Sequence, residues 1–160
     1  MSYRLSPRSL GNLSHVHPDL VDCIKRAIQV TEQDFGVPAP AARTAKEQHK
    51  LFLAGRSQKD GYRHKSNHQI TADGTGHAAD LVPWDGARFA WDWPLIYPVA
   101  AAMAQAGRDM GTRLRWGGNW YECLTDSCHS AADAAAAVAR YKVKHPGPDF
   151  IDGPHFELLP

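Results

Sequence analysis

Three polar positions in this sequence stand where chemistry, rather than solubility, explains them. Asp80 lies inside an apolar run, with Ala78 and Ala79 before it and Leu81 and Val82 after it. An isolated buried carboxylate costs several kcal/mol, so it needs a cationic partner or a metal. His68 sits in the polar loop just upstream. Asp152-Gly-Pro-His155 sets an acid shortly before a His that opens a last apolar run. Two His and one Asp make a three-ligand zinc set that leaves a fourth position for water, as catalytic zinc requires. Water bound there has a pKa lowered toward ~7, and a neighbouring carboxylate can take its proton. Asp152, on a turn fixed by Gly153 and Pro154, is placed for that base role.

Positioning these residues falls to short strands, helices and loops. Pro18 and Asp19 open a helix whose apolar positions are Leu20, Ile24, Ala27 and Ile28, with Gly36 as its end. Residues 1–17 read as an irregular lead-in, and 37–42, with two Pro, as an extended edge segment. Thr44 and Glu47 form a capping box for a helix to about Ala54. Residues 56–76 form a long polar loop, a length that signals function or mobility. Further elements are a strand at 77–83, a helix from Pro94 to Met110 stopped by Gly111, a strand at 114–116, a Ser130-capped helix at 131–144, and a strand at 155–158. The pattern is α+β.

Composition narrows the function classes. The chain has 160 residues, one domain by length, and can bury a substantial core without staples. Its 18 Lys and Arg against 17 Asp and Glu leave a net charge of +1, so neither nucleic acid nor an anionic membrane is an expected partner. No apolar run suits a membrane span, and the first residues lack the apolar stretch of a signal peptide. Nine His and five Trp are the surplus worth tracing. Three Cys, an odd number, give no disulfide framework.

Six strings, in order, resemble the zinc peptidases that cleave bacterial peptidoglycan: the D-alanyl-D-alanine carboxypeptidases and dipeptidases, and especially the phage L-alanyl-D-glutamate endopeptidases. They are VHPDLV at 16–21, ARTAKEQ at 42–48, GHAADLVP at 76–83, WDWP at 91–94, RWGGNW at 115–120 and DGPHFEL at 152–158. The resemblance spans nearly the whole chain. It implies a small antiparallel sheet flanked by helices, as in hedgehog and D-Ala-D-Ala peptidase domains. It implies zinc held by Asp80 and His155 with a further His, Asp152 as base, and Arg43 stabilising the reacting carbonyl. A tetrahedral oxyanion needs preorganised positive charge of that kind. The implied substrate is the peptidoglycan peptide stem, cleaved at L-Ala–D-Glu. The D-Ala-D-Ala bond and an inactive wall-binding module are the alternatives. A monomeric phage endolysin is expected, made in the host cytoplasm and released to the wall without a signal peptide.

The chain departs from the family at the first His ligand. Family spacing counted back from Asp80 falls on Asp73. Keeping Ser66-x-His68 intact instead requires an insertion of five residues, which is cheap in a polar loop. His68 is the reading adopted, with Asp73 and His64 as rivals. His77 falls on the opposite strand face from Asp80 and is expected to point away from the metal. His15, His17, His49 and His145 read as solvated or packed, and Trp116 and Trp120 as core or cleft wall. Cys123, Cys128 and His129 lack a fourth ligand for a second zinc site. The segment 121–149 reads as a family-variable insertion in a single domain spanning 1–160.

Overall fold

The computed structural model describes residues 2–160. Along the chain lie α1 (Pro7–Gly11), α2 (Pro18–Val30), β1 (Phe35–Gly36), α3 (Ala45–Leu53), β2 (Ala78–Asp80), β3 (Val82–Pro83), α4 (Trp93–Met110), β4 (Leu114–Trp116), β5 (Asn119–Cys123), α5 (Leu124–Ser127), α6 (Ala131–Lys144) and β6 (His155–Leu158). Local chemistry accounts for the helix ends. Thr44 and Glu47 exchange side-chain and backbone hydrogen bonds at the start of α3, a cap of about 1 kcal/mol. Ser130 caps α6 by accepting from the Asp133 amide at 3.1 Å. Gly111 ends α4 at φ 67°, a left-handed conformation that costs glycine little.

Several expectations need correction. The lead-in is not wholly irregular, because Ser6 caps α1 and Pro7 fits its first turn. Helix α2 ends at Val30 rather than Gly36, since Thr31 is already extended. Gly36 belongs to β1, which pairs with β3, so the pairing falls just before the 37–42 segment. Strand β5, which the sequence pattern did not mark, follows the Gly117-Gly118 turn, and its aromatic residues suit a strand.

The main sheet is antiparallel, in the order β2-β6-β4-β5. Alternation along β6 separates two faces. Phe156 lies between Ala79 and Trp116, and all three are buried among apolar residues of α4 and α2. His155 and Glu157 occupy the other face, with Asp80 opposite His155 and Arg115 opposite Glu157. A register slip of one residue would exchange core for site. Beneath the sheet, α4 packs against both α2 and α6 and is buried along most of its length. Phe156 is fully buried there, and cutting it back to Ala would cost about 3–5 kcal/mol. None of the described helices is long and apolar enough to cross a membrane.

Candidate metal centre

Register brings two of the expected residues together directly, since Asp80 ends β2 opposite His155 at the start of β6. His68 arrives from the 56–76 loop, and backbone hydrogen bonds hold it there. Its carbonyl accepts from the Arg43 amide at 2.8 Å, and the Arg43 carbonyl accepts from the Ile70 amide at 2.9 Å. One short parallel bridge therefore places both His68 and Arg43. Gln69, buried beside His68, bonds the Ser66 amide and the Gly61 carbonyl.

The hydrogen bonds assign the ring nitrogens. His68 Nδ1 is 2.9 Å from the Ala41 carbonyl oxygen, and His155 Nε2 is 2.8 Å from Glu157 Oε2. Both partners accept, so both nitrogens carry hydrogen. The remaining nitrogens, His68 Nε2 and His155 Nδ1, face each other at 3.1 Å. Asp80 Oδ1 is 3.4 Å from the first and 3.6 Å from the second. That oxygen is buried and has no hydrogen-bond partner. Three electron-rich atoms thus converge, each backed by the rest of its side chain. Bonds of about 2.1 Å around a tetrahedral zinc put ligand atoms about 3.4 Å apart, so the three fit one such ion.

Without an ion, the neighbouring carboxylates favour a proton on His155 in its place, which a bound cation would displace. Burial works against charging His155, but the carboxylates of Asp80 and Glu157 outweigh it and push its pKa up to about 9. Burial likewise opposes ionisation of Asp80, yet the adjacent His155 and His68 rings hold its carboxyl well below the usual range. Glu157 is buried and is lowered to about 2, because His155, Asn67 and Arg115 together outweigh its burial. It accepts from Asn67 Nδ2 at 2.7 Å and pairs with Arg115 on β4.

Around this triangle stand the other predicted residues. Arg43 lies 3.6 Å from Asp80 Oδ2 and donates to Gln48 Oε1 at 3.1 Å. Gln48 is fully buried and is fixed in turn by Ser57 and the Lys59 carbonyl. Asp152 is exposed on the turn before β6, anchored by its amide to the Gly117 carbonyl at 2.8 Å. A Cβ at Gly117 would collide with the Asp152 carbonyl, so only glycine permits this approach. Partial desolvation of the Asp152 carboxyl, then the nearby Asp80 charge, raise its pKa. The Trp120 ring is centred 5.1 Å from that of His155 and forms a wall, whereas Trp116 is core. A cavity of about 650 Å³ lies in the 61–72 loop, lined in part by Tyr62, Lys65, Asn67 and Ile70, and none of the three candidate ligands lines it.

The rivals for the first ligand lie elsewhere. His64 is exposed and sits 3.7 Å from Asp60, while Asp73 is bonded to His77 at 2.8 Å. Cys123 and Cys128 are free thiols, and neither joins a metal-ligating cluster among the described residues. Sequence reasoning gave no role to Glu157, Asn67, Arg115 or Gln48. The signal for Glu157 was available: it lies two residues from His155 on a strand and so shares its face. The others depend on long-range contacts that no local spacing encodes.

A small α+β domain that sets such a pocket at the edge of its sheet, with a carboxylate and a guanidinium beside it, has the parts of a hydrolase acting on carbonyl compounds. Comparison with known proteins narrows this to peptidases. Residues 1–159 match the family described as phage L-alanyl-D-glutamate peptidase, and the chain belongs to that family. The L-alanyl-D-glutamate peptidase of Escherichia phage T5 is 28% identical over 121 residues, which cover 75% of this chain and 83% of the relative. The crystal structure of the Serratia marcescens L-Ala D-Glu endopeptidase ChiX superimposes with a TM-score of 0.67 at 29% identity, covering 99% of this chain and 91% of that one.

Proposed function

We propose that this peptidase hydrolyses the L-Ala–D-Glu bond of the peptidoglycan stem as a phage endolysin. In this reading a zinc ion is held by His68 Nε2, the Asp80 carboxylate and His155 Nδ1. When bound, the ion would polarise the scissile carbonyl and lower the pKa of water. Asp152 accepts a proton from the attacking water and returns it to the leaving amine, a role helped by the raised basicity of its carboxylate. Arg43, steadied by Gln48, supplies positive charge to the oxygen that becomes an oxyanion. Glu157 keeps the His155 ring in the tautomer that frees Nδ1.

One observation carries the metal reading. Three potential ligand atoms converge at 3.1, 3.4 and 3.6 Å, and the carboxylate oxygen among them is buried with no hydrogen-bond partner.

The test has two parts. Zinc-loaded protein is incubated with purified peptidoglycan, and the new termini are identified by mass spectrometry. Expected are fragments ending in L-Ala and beginning with D-Glu, and a loss of about 10²–10⁴-fold in rate for Asp152→Asn at unchanged metal content. Release of free D-Ala alone would assign carboxypeptidase chemistry instead. Equal rates for wild type and Asp152→Asn would remove Asp152 from the reaction.

A further inference from the structure

A second His-Asp-His cluster lies outside the site just described. His17, Asp73 and His77 each offer one ligand atom, and these atoms all lie within 4.8 Å of one another. The cluster draws on two segments far apart in sequence that the backbone locks together. The Gly76 amide donates to the His15 carbonyl at 2.7 Å, and the His17 amide donates to the Gly76 carbonyl at 2.9 Å. His15 takes φ 62° at this junction, a conformation that a non-glycine residue adopts at some cost. The rings of His17 and His77 then meet edge to face, with centroids 5.1 Å apart.

Asp73 is oriented before any ion arrives. Its Oδ1 accepts from Thr71 Oγ1, the Thr75 amide and Thr75 Oγ1, each at 2.8 Å. Its Oδ2 is thereby turned toward His77 Nε2, also at 2.8 Å. Hydrogen bonds that fix one oxygen of a carboxylate and present the other are a common support for metal-ligating carboxylates. On the first ring, His17 Nδ1 accepts from the Asp19 amide at 3.2 Å as the N-cap of α2, which fixes the ring and leaves Nε2 as the nitrogen whose proton an ion would displace.

We propose that His17, Asp73 and His77 form a second binding site for a divalent transition-metal ion of the zinc class, separate from the His68–Asp80–His155 centre. Two imidazoles and one carboxylate select such an ion over calcium or magnesium, which prefer all-oxygen shells. On binding, the ion displaces the proton now shared by His77 and Asp73. Asp73 lies in the stretch read as a five-residue insertion between His68 and Gly76, so the site is a feature of this chain's own loop. An ion there would tie the N-terminus of α2 to the segment joining His68 to β2. The His77 amide already donates to the Asn67 carbonyl at 2.7 Å, and Asn67 holds Glu157. The brace therefore leans on the network behind His155.

The experiment uses the full chain and zinc alone. Protein stripped with chelator is dialysed against rising free Zn²⁺, and bound metal is counted by elemental analysis. Wild type should take up two equivalents, while His77→Ala, His17→Ala and Asp73→Asn should each take up one. Asp73→Asn guards against misfolding, because the residue is exposed and the substitution keeps its shape. The second equivalent should also raise the melting temperature of wild type and leave that of Asp73→Asn unmoved. Saturation at one equivalent would overturn the proposal. So would a second equivalent that persists in all three variants, which would mark adventitious surface binding. The count is independent of catalysis, so failure here leaves the proposed peptidase chemistry untouched.

Discussion

The protein contains two His-Asp-His clusters of identical composition in opposite surroundings. At His68–Asp80–His155 both rings are buried, their outer nitrogens are tied to protein acceptors, and a buried carboxylate oxygen is left without a partner. At His17–Asp73–His77 the Asp is exposed, the rings are half-exposed, and each Asp73 oxygen already has a hydrogen-bond partner. Residue types therefore do not define a metal centre. Burial raises the cost of an unmet lone pair from negligible to several kcal/mol, and that cost makes the first cluster demand a cation while the second merely accommodates one.

The sharpest way to break this contrast is to remove the unpartnered oxygen. Asp80→Ala should abolish retention of the first equivalent of metal and cut peptidoglycan hydrolysis about a thousandfold, since polarisation worth several kcal/mol corresponds to about three powers of ten. Zinc content after gel filtration and release of soluble wall fragments would measure both. If the variant kept its metal and its rate, the first cluster would be no more demanding than the second.

A smaller effect is expected one shell out, at Glu157→Gln. The amide can still accept from His155 Nε2, but it loses the charge that raises the basicity of the ring. Such outer partners are typically worth 10–100-fold in metal affinity or activity, and competition with a chromophoric chelator would measure the change. Asp19→Asn offers the matched probe at the second cluster. Its carboxylate is exposed and lies 3.9 Å from His17, so substitution there should change zinc affinity by much less.

The same contrast explains what could be read from the sequence. Helices with end signals were legible almost residue by residue: Thr44 with Glu47, Ser130, and Pro94 with Gly111 mark their helices because caps and stops are local chemistry. Strands β4 and β6 were legible as short apolar runs. Strand β5 was not, because the Gly pair before it looks the same whether it ends a strand or turns between two. At the site, Asp80, His155 and Asp152 stand out locally, as a charge in an apolar run and an acid on a Gly-Pro turn. His68 could be chosen over Asp73 only through resemblance, since nothing local tells which loop residue folds back onto the sheet. Its placement depends on the bridge to Arg43, some 25 residues upstream. The second cluster was invisible for the same reason. His17 and His77 become neighbours only once the Val16–Gly76 bridge forms, and alone the first reads as a solvated or packed His and the second as a packed His pointing away from the metal.

The smallest effect concerns acid stability in the metal-free protein. Glu157 has its pKa lowered to about 2 from an ordinary 4.5, with His155, Asn67 and Arg115 favouring the charged form over the opposing effect of burial. A carboxyl with a depressed folded-state pKa contributes stability that is complete above 4.5 and is lost as the pH falls toward 2. Wild type should therefore exceed Glu157→Gln in urea midpoint by a constant margin above pH 4.5, and the margin should shrink steadily below it. Asp73 is also depressed, chiefly by hydrogen bonds from Thr71, His77 and Thr75, but it is exposed. Salt screens the exposed His77–Asp73 pair more than the buried one, so adding salt should narrow the margin between wild type and Asp73→Asn more than the one at Glu157. A Glu157 margin that neither narrowed in acid nor outlasted the Asp73 margin in salt would mean that the two clusters share one electrostatic environment.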